Sequence, residues 1–129
     1  MTHVSHTLFF ASLFALMQVV LIALVVARRV ETGVRFLDGG DTRLMHTIRA
    51  HGNFCETVPL ALLLLGLLEL SGVGSHGLLA FGATLLVGRI VHAYSLLTNN
   101  ATWSRCTGMV LTVGVISREA VAGLWMVVR

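Results

Sequence analysis

The chain has 129 residues, of which 56% are hydrophobic and only 12% charged, and its mean hydropathy is +0.87. A soluble domain of this length cannot bury so much apolar surface and usually carries about a quarter charged residues, so the chain reads as a single membrane domain over residues 1–129. Its net charge of +3 comes from nine arginines and no lysine set against six carboxylates, and the arginines are scattered among apolar runs rather than gathered in a stripe or tail, which argues against a nucleic-acid partner.

The first apolar run, Leu8–Ala27, has 20 residues without a charge. That is enough to cross about 30 Å of hydrocarbon at about 1.5 Å per residue. It lacks the basic leader of a signal peptide and further spans follow, so it is read as a transmembrane helix. A polar connection, 28–48, comes next, with "DGGD" (38–41) as its turn and Arg28, Arg29, Arg35 and Arg43 among its residues. The second run, 50–70, is headed by "RAHGNFCE" (49–56). "SGVGSHG" (71–77) is a tight reversal, the third run covers 78–97, "TNNATWSR" (98–105) connects, and the fourth run is 107–128. With four spans the first and third connections share a side. Both hold arginine, which predicts that they are cytoplasmic and that both termini lie outside, with Arg129 weighing weakly against this. The expected fold is an all-α integral membrane bundle of four transmembrane helices, oligomeric because the charges at Glu56, Glu69, Arg89, Arg118 and Glu119 must be kept from lipid.

Arg49, Asn53 and Glu56 stand at i, i+4 and i+7, and so share one helix face, with His46 extending the stripe toward the loop. Pro59 removes a backbone hydrogen bond just beyond Glu56 and can open space beside it. Arg89 and Glu56 lie at similar depths, roughly 12 and 10 Å from the loop end, which predicts an Arg89–Glu56 ion pair. His92 shares the face of Arg89. A polar clasp between the second and third helices accounts for Arg89 alone. The larger set of Arg28, Arg49, Asn53, Glu56, Arg89, His92 and Arg105 holds more cations than carboxylates, which suits an anionic ligand bearing carboxylates. At the other end, Glu69 and Arg118 are at comparable levels and are expected to pair, while Glu119 has no assigned partner. Cys55 and Cys106 lack CxxC or Cys/His spacing and read as small apolar residues, and the histidines form no metal-ligand pair.

The stretches "DGGDTRL", "IRAHGNFCETVPLALLLLGLLEL", "GRIVHAY" (88–94) and "RCTGMVLT" (105–112) resemble the MAPEG family, the membrane-associated proteins of eicosanoid and glutathione metabolism, and most of all its small bacterial inner-membrane members. The resemblance implies a homotrimer with glutathione bound near the cytoplasmic side, between subunits. By position it implies that Arg28 reaches a glutathione carboxylate and that Arg49, Asn53 and Glu56 hold the tripeptide, Glu56 receiving its amino group. Arg89 and His92 match an R-x-x-[HY] motif of the third helix, and Arg105 matches an arginine that stabilises the glutathione thiolate. Thr57 and Leu96 stand where several relatives carry tyrosine, which argues against a dedicated leukotriene or prostaglandin synthase, and Tyr94 is offset from both positions and expected to be a packing residue.

Two expectations follow. One is a membrane glutathione transferase or peroxidase, with glutathione as co-substrate and no metal, acting on lipophilic electrophiles or hydroperoxides drawn from membrane lipid. The other is a non-catalytic glutathione- or lipid-binding scaffold of the same fold. A small transporter or proton relay rests only on Glu56 and His92 lying within the membrane.

Overall fold

The computed structural model describes residues 4–98 and 102–128, and these form four α-helices: α1 (Ser5–Thr32), α2 (Thr42–Leu70), α3 (Ser75–Leu97) and α4 (Thr102–Val128). All four are long and apolar enough to cross a membrane. Each contains one expected span, but the helices outrun those spans. α1 continues past Ala27 to Thr32, and α2 begins at Thr42 rather than Ala50. Hydropathy marks where hydrocarbon ends, whereas a helix ends where its backbone finds a cap.

Those caps are local and specific. Gly33 takes the left-handed conformation (φ 70°) and its N–H bonds to the Arg29 carbonyl, closing α1. Asp41 opens α2, its carboxylate accepting the Leu44 N–H at 2.6 Å. The 33–41 link turns on Gly39 and Gly40, at φ 57° and 81°, while the Asp38 side chain accepts the Gly40 N–H at 3.1 Å. The reversal between α2 and α3 is short, as expected, with Gly72 at φ 88° and the Val73 N–H bonded to the Leu68 carbonyl at 3.1 Å. The 98–105 connection lies partly outside the described residues, as does Arg129.

α2 and α3 form the centre of the bundle, with α1 and α4 packed on either side of them and not on each other. Phe10, Phe14 and Leu21 of α1 meet Ala50, Phe54, Val58, Ala61 and Leu65 of α2 and Leu78 and Leu85 of α3 in the core. Two glycines set the closest approaches. A Cβ on Gly82 would overlap the Phe10 ring, and one on Gly108 would stand 2.7 Å from the Gly88 carbonyl oxygen and from the His92 backbone nitrogen. The second contact lets the backbones of α3 and α4 touch, a device suited to a medium in which apolar burial alone does not drive helices together. The outward faces are apolar: Leu16 is 67%, Leu63 59% and Leu124 68% exposed. Such a surface is stable only against lipid or other subunits.

Candidate functional site: a buried arginine at the loop end

The inward stripe of α3 runs through Leu85, Gly88, Arg89, His92 and Ala93, so its apolar periodicity carries a guanidinium into the core. Arg89 is fully buried, with an exposure of 0%. Its Nη1 donates to Asn53 Oδ1 at 2.8 Å, and its guanidinium carbon lies 6.0 Å from the centre of the Phe54 ring. Nε and Nη2 meet no hydrogen-bond acceptor among the described residues. A buried cation with two unmatched nitrogens is costly unless something else completes it.

The expected Arg89–Glu56 pair does not form. The buried face of α2 is Ala50, Phe54, Val58, Ala61 and Leu65; Asn53 lies at its edge, and Arg49 and Glu56 are exposed on the outer flank. Matching depths brought Arg89 to the right turns of α2, but depth says nothing about azimuth, and azimuth selected Asn53.

His92 is also buried, and its Nδ1 lies 3.2 Å from the Arg105 backbone carbonyl oxygen. A carbonyl only accepts, so the ring carries a proton on Nδ1. The Gly88–Gly108 approach makes this contact possible, and Ser104 Oγ donating to Ser95 Oγ at 2.8 Å ties the start of α4 to α3 a second time. Arg105 itself is half-buried. Asn53, Arg89, His92 and the Arg105 segment are thus one cluster.

Arg28 is placed elsewhere. It lines a cleft of about 760 Å³ with Arg43, His46, Thr47 and Leu97. Its guanidinium binds both oxygens of Asp41, at 2.9 and 3.3 Å, and its Nη1 donates to Glu31 at 2.7 Å. The Leu44 N–H, and after it the Arg28 side chain, hold the Asp41 carboxyl below its usual value of 3.8. The expected set therefore divides into an inner cluster, an exposed flank of Arg49 and Glu56, and the Arg28 cleft.

The opposite end also differs from expectation. Glu69 does not pair with Arg118; it accepts the backbone N–H groups of His6 and Thr7, at 2.9 and 2.8 Å, and contacts His6 Nδ1 at 2.8 Å. These are the unsatisfied amides of the first turn of α1, donors that carry no formal charge and so escape a search for ion pairs. Arg118 is exposed and lies in a groove with Ala80, Phe81 and Thr84. Glu119 is fully buried.

One cluster was not anticipated. Gln18 Nε2 donates to Cys55 Sγ at 3.1 Å and lies 3.0 Å from His51 Nε2, at the head of an apolar groove walled by Phe14, Pro59 and Leu62. From the sequence Cys55 reads as a small apolar residue and His51 has no assigned role. The available signal was their i, i+4 spacing combined with a lone amide in an otherwise apolar α1.

Fold and site together define a four-helix integral membrane protein with a buried cationic cluster near one end. The sequence model of the MAPEG family matches residues 7–125, and the chain belongs to that family. It is 34% identical over 101 residues to the inner membrane protein YecN of Escherichia coli K12, a match covering 78% of this chain and 76% of that one. The YecN of Escherichia coli O6:H1 matches with the same 34% identity and coverage. No solved structure matches. Four membrane-spanning helices and these relatives support an integral inner-membrane protein.

Proposed function

We propose that this protein is a membrane glutathione transferase or peroxidase that conjugates or reduces lipophilic electrophiles entering from the bilayer. The observation that carries the reading is the buried Arg89 guanidinium, anchored on Asn53 and left with two unmatched nitrogens beside His92 and Arg105. Glutathione has two carboxylates, one ammonium and one thiol. Arg89 takes a carboxylate, and Arg49 takes the second or the peptide backbone. Glu56 takes the ammonium. Because Arg49 and Glu56 point off the outer flank of α2, the site closes only when a second protomer covers that flank, which the homotrimer implied by the family would provide.

The chemistry needs a thiolate. A free thiol with a pKa of about 8.5 is mostly protonated at neutral pH, and a guanidinium at the sulfur lowers it, worth about 1.4 kcal/mol per unit. Arg105 has that role. The thiol proton passes to water, sulfur attacks the electrophilic carbon, and the C–S bond forms as the leaving group departs with its electron pair. The arginine-bearing loop end faces the cytoplasm and both termini face the periplasm.

The test is turnover by the purified protein in detergent, with a chlorodinitrobenzene and an organic hydroperoxide as acceptors, beside Arg105→Ala. The variant is expected to bind glutathione and to lose about a hundredfold in rate. Glutathione binding without turnover of either acceptor would make the protein a binding scaffold instead.

A further inference from the structure

The end of the bundle that carries the termini holds a carboxylate that neither the fold nor the glutathione reading uses. Glu119 lies on the inward stripe of α4 with Gly108, Thr112 and Val115, and is 0% exposed. Neither carboxylate oxygen has a hydrogen-bond partner among the described residues. Arg118 cannot serve, since one residue along a helix is a turn of about 100° and its side chain lines the α3 side instead. Glu69, the other carboxylate of this end, is occupied by α1.

Glu119 borders a cavity of about 460 Å³ between α2 and α4, walled by Leu64, Leu67, Gly123 and Met126, with Ser71 as its other polar residue; its carboxylate oxygens are closed off, so a ligand meets them only when the side chain turns toward the cavity. The Ser71 hydroxyl donates to the Leu67 carbonyl at 2.7 Å, which leaves its lone pairs available to a donor. The volume falls in the range of small-molecule sites, and apolar walls with a few convergent polar groups are their usual construction.

We propose that this cavity is a second binding site, for a lipophilic amine whose ammonium sits on the Glu119 carboxylate and whose hydrocarbon body lies against Leu64, Leu67 and Met126. The charge of the ligand follows from an unpartnered buried carboxylate, and its apolar body from the walls. A bare metal ion is poorly served, because one carboxylate and one hydroxyl supply too few oxygens. Glutathione fits no better, because its two carboxylates would find no cation here. The site stands apart from the Arg89 cluster and does not rest on the glutathione reading.

The experiment is calorimetric titration of the full-length protein in a non-ionic detergent with dodecylamine, using dodecanol as its uncharged counterpart. Wild type is expected to bind the amine and not the alcohol. Glu119→Gln, nearly the same in shape, is expected to weaken amine binding at least about tenfold while leaving glutathione binding unchanged. Equal affinity of wild type and Glu119→Gln for the amine, or equal affinity of wild type for amine and alcohol, overturns the proposal. If Glu119→Gln fails to fold, Gly123→Phe fills the cavity and keeps the carboxylate. A Cβ at Gly123 meets open space, so the substitution is tolerated by the backbone, and retained amine binding overturns the proposal. No amine binding by wild type, with Glu119→Gln shifting the oligomeric mass, would assign the carboxylate to a contact between subunits.

Discussion

Glu69 and Arg89, at opposite ends of this bundle, both sit where water is scarce, and the fold treats them in opposite ways. At the end with the termini, Glu69 is matched by two backbone amides and a histidine ring, which holds α1 to α2. At the loop end, Arg89 is held by one amide oxygen and keeps two nitrogens unmatched in a fully buried position. A satisfied buried charge joins elements of the fold, whereas an unsatisfied one makes no such join and leaves its donors open to water, a ligand or another subunit.

Replacing Glu69 should have the largest effect on stability. Glu69→Ala strands the first-turn amides of α1 and is expected to cost about 3 kcal/mol in detergent unfolding, with glutathione affinity unchanged. A small stability loss would mean that water satisfies those amides and that the clasp is ornamental. Arg89→Met sharpens the contrast from the other side. It is expected to weaken glutathione binding by about 2 kcal/mol in calorimetry, while stability stays level or rises, since an unmatched buried cation has been removed. Destabilisation with unaltered affinity would make Arg89 a second clasp and erase its difference from Glu69.

The smallest expected effect lies at the surface. The Asp41 carboxyl is depressed in the folded protein, so its contribution is present above the usual 3.8 and is lost as pH falls through the folded value. Asp41→Asn should therefore lower the unfolding temperature slightly at neutral pH. The gap from wild type should shrink on acidification to below about pH 4 and be nearly unchanged between pH 6 and 8. A gap that widens on acidification would show that the cap and the Arg28 contact do not set that carboxyl.

Much of the architecture was legible in the sequence. Four apolar runs of membrane length, separated by polar connections such as "DGGD" and the Gly/Ser reversal, are enough to define four spans and to put the first and third connections at the same end of the bundle. Of the expected stripe of Arg49, Asn53 and Glu56, Arg49 and Glu56 do share the outer flank, because helical spacing decides which side chains project together, but Asn53 lies at the edge of the buried face and turns to Arg89. The partners were not legible. Arg89 met Asn53 rather than Glu56, and Glu69 met His6 and Thr7 rather than Arg118. Sequence depth orders residues along the membrane normal, but partner choice depends on how each helix is rotated about its own axis.

For this protein the sequence by itself determined the medium, the number of crossings and the kinds of charge carried into them, because hydropathy and spacing are one-dimensional quantities. Only the tertiary structure decided which of those charges are satisfied. Gly88 and Gly108 let α3 and α4 close until the Arg105 carbonyl reaches His92, and the rotations of α2 and α4 turn Glu56 outward and Glu119 inward. Those are outcomes of packing in three dimensions, where a missing Cβ on one helix sets the position of a side chain on another.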